Sequence, residues 1–318
     1  MSYRKDNLKK VKQAFSEKRS AALAASRSRL ERLHREYPDL AAIDAALAET
    51  GMRLVEEITR GPEGIAERVA AVRSENERLQ ADRAEMLAFY GFPPDYTDVV
   101  YECPLCGDTG YRGTALCSCM KKALAKAGLE SAGLSALAES QSFGSFDLRF
   151  YSGENRRTME RNLDFCRDYA KTFHDGSESL LFIGNTGLGK THLSTSIAVS
   201  VIERGFDVVY HSAPSVFAAL EAEKFGRPSA LSSAELFDAD LLILDDLGAE
   251  NPGALNVNFL YHIVNTRLVS QRPTLINTNL SPAELQKRYT DRVASRLLGE
   301  YRVLRFAGSD VRMQKIGF

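Results

Sequence analysis

The sequence predicts an α/β fold: a parallel sheet sandwiched by helices and organised around a phosphate-binding loop. An all-helical region and a small cysteine-rich segment precede it. Three observations carry this expectation. From about Arg156, short apolar runs alternate with helix-length stretches, the pattern of parallel strands joined by crossover helices. One apolar run passes directly into a glycine-rich octet ending in Lys-Thr. The first ninety residues, by contrast, are dominated by Ala, Glu, Arg and Leu and carry no strand signal.

In chain order, residues 1–95 form the helical region. Leu40, Ile43, Leu47, Leu54 and Ile58 recur at helical spacing, as do Ile65, Val69, Val72, Leu79 and Met86. Gly61-Pro62-Glu63-Gly64 breaks the pattern between these stripes. Helices joined by so short a turn pack antiparallel. The pair is either an arm that grips a partner protein or a hairpin packed on its own domain. Gly91-Phe92-Pro93-Pro94 ends the region, and residues 96–122 hold the cysteine segment. Residues 123–155 form a linker: Lys121 to Ala138 reads as helix and linker, and Ser142 to Tyr151, with Phe143, Phe146 and Phe150, as a lead-in loop.

The α/β domain occupies residues 156–318. Strands are expected at Leu180–Ile183, Val208–Ser212, Leu241–Leu244, Thr274–Asn277 and Val303–Phe306. Helices are expected at Thr191–Arg204, Ser215–Phe225, Leu255–Val269 and Pro282–Tyr289. Ligands in such sheets bind at the carboxyl ends of the strands.

Composition sets limits on partners and place. The 318 residues carry a net charge of −1, so nucleic acid could be held only by a local basic patch. No run approaches the roughly eighteen apolar residues a membrane span needs. Met1 to Lys12 is polar and lacks the apolar centre of a signal peptide. A cytosolic protein without membrane association is expected, in which the five cysteines stay reduced.

Gly184-Asn185-Thr186-Gly187-Leu188-Gly189-Lys190-Thr191 matches the phosphate-loop pattern in full, between a strand and a helix. Its glycines let backbone N–H groups turn towards phosphates, and the helix N-terminus adds partial positive charge. Lys190 should reach the β- and γ-phosphates of ATP, and the Thr191 hydroxyl should coordinate Mg²⁺. His192 completes the nucleotide-binding run.

Leu241–Leu244 leads into Asp245-Asp246. Two carboxylates at the end of a buried strand are costly unless they serve a cation. Asp245 is assigned to Mg²⁺ and Asp246 to the attacking water. Asn279 is placed to touch the γ-phosphate or that water, with Asn277 as its substitute; a simple Asn-Leu-Ser-Pro turn is the other reading. Arg292 and Arg296 stand at i, i+4 on one helix face. They are candidates for an arginine finger supplied to a neighbouring subunit, or else a solvated pair.

These motifs resemble the DnaC/DnaI-type bacterial helicase loaders, within the initiator branch of the AAA+ ATPases. The likeness extends over nearly the whole chain. It includes the run from Gly184 to Leu193, Leu-Leu-Ile-Leu-Asp-Asp-Leu-Gly-Ala-Glu from Leu241, Asn-Thr-Asn-Leu-Ser-Pro from Asn277 and Ser-Arg-Leu-Leu-Gly-Glu from Ser295. Tyr-Glu-Cys-Pro-Leu-Cys-Gly-Asp-Thr-Gly-Tyr from Tyr101 is similar to the cysteine segment of loaders from low-GC Gram-positive bacteria. The resemblance implies an AAA+ sheet with little or no helical lid, Mg-ATP hydrolysis at subunit interfaces and self-association through the AAA+ domains. It implies an N-terminal region that binds a DnaB-type replicative helicase, and contact with single-stranded DNA. It also implies that Arg296 is the finger acting in trans and that Arg312 senses nucleotide. Many AAA+ proteins carry Glu where this chain has Asp246, a shorter side chain that would slow hydrolysis.

Cys103-x₂-Cys106 and Cys117-x-Cys119 can converge on one tetrahedral Zn²⁺ in a structural role. The alternative is four reduced cysteines in a turn-rich linker. Cys166 reads as core, and His174, His192 and His211 have no metal-ligand spacing. Lys224, Phe225 and Arg227 pair basic and aromatic groups as single-strand binders do, or simply end a helix. Two rival functions remain open: an IstB-type transposition helper ATPase, and a nucleotide-binding scaffold that hardly hydrolyses.

Overall fold

A computed structural model describes residues 3–229, 231–251 and 253–316. The chain divides into two compact units, one formed by Lys12–Cys117 and the other by Met1–Val11 with Ser118–Phe318.

Helices α1 (Lys5–Glu36), α2 (Pro38–Thr59) and α3 (Ile65–Phe89) supply the first unit, with α1 running into it from Lys12. Proline at the first position of α2 has no N–H to waste there and already holds a helical φ. α2 and α3 are antiparallel. Arg83 donates to Asp44 at 2.5 Å, Asn76 to Thr50 at 2.6 Å and Arg53 to Glu75 at 2.9 Å. Arg68 Nε lies 2.9 Å from Glu57. The pairing index falls along α3 as it rises along α2, which fixes the register. Leu33, Leu40 and Leu87 form the apolar centre near the open end of this hairpin. The expected stripe fades toward the turn, where Ile58 is exposed, because polar pairs hold that end.

After α3 the chain returns along α1. Ser26 donates to the Thr97 carbonyl at 2.6 Å, Arg29 to the carbonyls of Tyr96 and Asp98, and Arg19 to that of Gly107 at 2.8 Å. A small hairpin follows, with β1 (Tyr111–Arg112) antiparallel to β2 (Ala115–Leu116).

The second unit contains α4 (Ser118–Ser131), α5 (Ser135–Ser140), a 3₁₀ turn at Leu148–Phe150 and α6 (Gly153–Thr172). The doubly covered sheet comes next, in chain order β3 (Leu180–Ile183), α7 (Lys190–Glu203), β4 (Val208–Ser212), α8 (Ala213–Lys224), α9 (Ser233–Asp238), β5 (Leu241–Leu247), α10 (Ala254–Val269), β6 (Thr274–Thr278), α11 (Pro282–Arg288), α12 (Asp291–Gly299), β7 (Arg302–Arg305) and α13 (Val311–Lys315). All pairings are parallel, in the order β4-β5-β6-β3-β7. The phosphate-loop strand β3 therefore sits between β6 and β7, the AAA+ P-loop arrangement.

Period-two alternation divides the strand residues between two cores. Leu180, Phe182, Val208, Tyr210, Leu241, Ile243 and Leu275 join the face covered by α6 and α7. Leu181, Ile183, Val209, Leu242, Leu244 and Ile276 join the opposite face with residues of α8, α10 and α12. Each fully buried Leu, Ile or Phe stabilises the fold by roughly 1.5–3 kcal/mol relative to exposure. Ser232 and Ser281 start α9 and α11 with complete capping boxes through Glu235 and Glu284.

The expected strands lie where the apolar runs placed them, with shifted ends. β5 continues through Asp245 and Asp246 to Leu247, with a register irregularity between Leu244 and Leu247. Helix α7 begins at Lys190. Arg267 of α10 is fully buried. It donates to Thr274 Oγ1 and to the carbonyls of Leu236, Phe237, Ala239 and Pro273, tying α9, α10 and β6 together.

Candidate nucleotide and metal sites

The octet from Gly184 to Thr191 links β3 to α7, and its glycines leave no room for side chains. A Cβ on Gly184 would collide with the Phe306 carbonyl, and one on Gly187 with the Asp310 carboxylate. One on Gly189 would lie 2.7 Å from Phe146 Cε2. Gly187 and Gly189 also have φ of +74° and +86°, in the left-handed region that glycine alone occupies freely. The lead-in loop and the start of α13 brace the octet from outside: Tyr151 donates its hydroxyl proton to the Leu188 carbonyl at 3.0 Å, and Val311 N–H donates to the Gly187 carbonyl at 3.0 Å.

A cavity of about 380 Å³ opens over this loop, lined by Thr186–His192, Phe146, Tyr151, Asp246, Asn279 and Arg312 among others. That volume falls in the range of small-molecule sites. Lys190 is 6% exposed. Its ammonium donates to the carbonyls of Gly184 and Asn185 at 2.6 and 2.7 Å and to Asn279 Oδ1 at 2.6 Å. Burial pulls its pKa down to about 8, against the opposing pull of Asp245 and Asp246. A buried cation above a cradle of glycines is chemically suited to an anion, and the fit to a polyphosphate is direct.

Asp245 is 7% exposed and fully engaged. Tyr210 donates to its Oδ2 at 2.7 Å; Asn277 Nδ2 and the Asp246 backbone N–H each donate to its Oδ1 at 2.9 Å. Thr191 Oγ1 lies 3.4 Å from the same Oδ1. A hydroxyl beside a fixed carboxylate is the donor set a hard divalent cation such as Mg²⁺ takes. Asp246 is exposed, with φ +54°. Partial desolvation of its carboxyl by the surrounding walls and the neighbouring Asp245 charge raise its pKa, partly offset by Lys190 and Arg312.

Of the two asparagines, Asn279 faces the cavity and Asn277 is fully buried beneath it, where it also donates to Ser194 Oγ at 2.8 Å. His192 lines the cavity, and its Nε2 donates to the Ser142 carbonyl at 2.8 Å. Burial lowers its pKa, against the opposing effect of that hydrogen bond. Arg312 lines the cavity. Arg292 and Arg296 do not. They stand on α12, with the Arg296 guanidinium 5.0 Å from the Tyr261 ring centre. Lys224, Phe225 and Arg227 also lie outside the cavity, at the exposed end of α8, where Arg227 stacks 5.5 Å from the Phe225 ring centre.

The sulfurs of Cys103, Cys106, Cys117 and Cys119 all lie within 4.8 Å of one another. Cys103 and Cys117 are 3.9 Å apart, close to the roughly 3.8 Å edge of a tetrahedron of thiolates about 2.3 Å from zinc. The chain is shaped for this. Gly107 N–H donates to the Cys103 carbonyl at 2.9 Å, and Cys117 N–H to the Gly110 carbonyl at 2.8 Å. Asp108, buried and unanticipated by spacing, accepts from the N–H groups of Glu102 and Cys103 at 2.9 and 2.8 Å. The cluster can bind a metal ion. Cys166 is buried in the core.

Sequence reading gave no role to Tyr210 and Arg267, and none to Glu250 although it ends the quoted run from Leu241. Most of their partners stand on other elements of the fold. The one available signal was charge inside apolar surroundings, as with Arg267 in the helical run Leu-Tyr-His-Ile-Val-Asn-Thr-Arg-Leu-Val.

The model of a family described as IstB-like ATP binding protein matches residues 125–315. The replicative helicase loader DnaC of Escherichia coli K12 is 30% identical over 139 residues, 42% of this chain and 56% of that protein. The match thus spans little more than half of that relative's length. A protein from an insertion sequence of Mycobacterium tuberculosis is 27% identical over 108 residues, 34% of this chain and 43% of that one. A crystal structure of the DnaC helicase loader aligns over 54% of this chain and 100% of its own length, with TM-score 0.47 and 20% identity.

Proposed function

The chain belongs to the family of IstB-like ATP-binding proteins, and on that premise we propose that it is a cytosolic Mg-ATP-hydrolysing loader of a replicative DNA helicase. The observation that carries the proposal is the cavity uniting the phosphate loop, Asp246, Asn279 and Arg312. In this reading the backbone of Gly184–Gly189 and the Lys190 ammonium hold the β- and γ-phosphates. Thr191 and Asp245 hold Mg²⁺, which would neutralise charge on the phosphates. Asp246 orients the attacking water and accepts its proton. Asn279 passes from Lys190 to the γ-phosphate or to that water, and Arg312 senses nucleotide. Water adds to the γ-phosphorus, the β–γ bridging oxygen leaves with ADP, and inorganic phosphate is released. Arg296, or Arg292 beside it, completes the site of an adjoining copy. Cys103, Cys106, Cys117 and Cys119 would hold zinc, which would order the segment before the ATPase unit. The helical arm grips the helicase, and Lys224, Phe225 and Arg227 contact single-stranded DNA.

Lys190→Ala should weaken Mg-ATP binding at least about tenfold, or about 1.4 kcal/mol. Asp246→Asn should keep binding and lower turnover by about 10²-fold. Full-length protein should co-purify with a hexameric replicative helicase in ATP. If labelled Mg-ATP does not bind, the nucleotide reading falls; if ATP binds but no helicase is retained, the loader reading alone falls. The insertion-sequence relative supports a second reading, a transposition helper. Stimulation of ATP turnover by duplex DNA with a transposase, and none by helicase, would select it.

A further inference from the structure

Asp246 adopts φ +54°. An aspartate in the left-handed region keeps that conformation only where its surroundings hold it. Ala249 N–H closes the turn by donating to the Asp246 carbonyl at 3.1 Å. Gly248 N–H donates to Glu250 Oε2 at 2.8 Å. Glu250 is 6% exposed, and a buried carboxylate is tolerated only when paired and hydrogen-bonded.

The remaining partners of Glu250 stand at the junction of α11 and α12. Tyr289, itself buried, donates its hydroxyl proton to Glu250 Oε1. Arg288 Nε lies 3.5 Å from Oε1, and Arg288 Nη2 donates to the Glu250 carbonyl. The next residue, Thr290, stands at the N-cap position of α12, the helix that carries Arg292 and Arg296. One carboxylate therefore fastens the turn bearing Asp246 to the start of that helix. Glu250 does not line the cavity, so it acts through its neighbours.

We propose that Glu250 is a positioning residue for hydrolysis, a buried clamp that holds Asp246 in its left-handed turn and couples that turn to the arginine helix α12. The inference rests on the reading of this site as a Mg-ATPase. Its chemistry requires an acceptor on both carboxylate oxygens, which no apolar replacement supplies.

The test uses full-length protein, steady-state kinetics and direct Mg-ATP binding. Glu250→Ala should lower kcat at least tenfold while Mg-ATP affinity changes less than twofold. Tyr289→Phe removes one hydroxyl from the clamp and leaves the ring in the core. It should lower kcat in the same direction by about threefold, and the double variant should be no slower than Glu250→Ala. Adding Arg296→Ala to Glu250→Ala should produce a smaller further loss than Arg296→Ala produces in the wild type. Unchanged kcat in both single variants, parallel losses of affinity and kcat, or additive losses with Arg296 would overturn the proposal. Those outcomes differ from failure of the underlying reading, in which the wild type shows no hydrolysis sensitive to Asp246→Asn and both inferences fall.

Discussion

Lys190 brings its charge into a cleft that shields it from water, which is why its pKa stands near 8 before any ligand arrives. Phosphate needs the protonated amine. As pH rises through about 8 the free protein loses that proton, so ATP binding must take one up. Calorimetry at pH 8.5 should show a binding enthalpy that varies with buffer ionisation heat, and an affinity lower than at pH 7; an enthalpy independent of buffer would contradict the buried lysine. Arg267 poses the opposite problem, a cation that no ligand approaches. Its five acceptors are four carbonyls and Thr274 Oγ1. Arg267→Met should cost about 3 kcal/mol in urea unfolding, because those oxygens lose their donor while staying buried. The contrast explains what could be read in advance. The phosphate loop works through its own backbone, so eight consecutive residues display it. Arg267 and Tyr210 each work through residues on other elements, and their letters look ordinary; Glu250 ends a quoted run, but its partner Tyr289 stands 39 positions away.

Among the elements, the strands were legible because both sheet faces are buried, which makes each an unbroken apolar run. Their ends were less so. β5 runs on through Asp245 and Asp246 because the sheet continues while the side chains turn to the site, and polarity alone suggested a stop. The α2–α3 hairpin was visible from its breaker, but not its means of adhesion, which shifts from Leu40 and Leu87 at one end to Arg–Glu pairs at the other. The cysteine spacing announced a cluster and left out Asp108, whose carboxylate organises the first pair. If zinc occupies the cluster, purified protein should carry about one zinc per chain by mass spectrometry or elemental analysis. Cys117→Ser should lose most of it without changing Mg-ATP affinity, and full metal retention in that variant would remove Cys117 from the ligand set.

For the whole molecule, the division into two compact units assigns the helical arm from Lys12 onward to one body and the nucleotide cavity to the other. Among the described residues no helix is long and apolar enough to cross a membrane. Partner binding and ATP chemistry are therefore proposed for separate bodies, and variants should separate them: Lys190→Ala should spare a nucleotide-independent helicase contact if one exists on the arm. Within the nucleotide body, the bond from Val311 N–H to Gly187 and the seat of Asp310 against that glycine join residues more than a hundred positions apart. The tail of the chain is thereby moored to the loop that would close on a triphosphate. A nucleotide that stiffens the loop should slow amide deuteration and tryptic cleavage around Arg312 and Lys315, and Asp310→Ala should cut that mooring, leaving the tail equally labile with and without ligand.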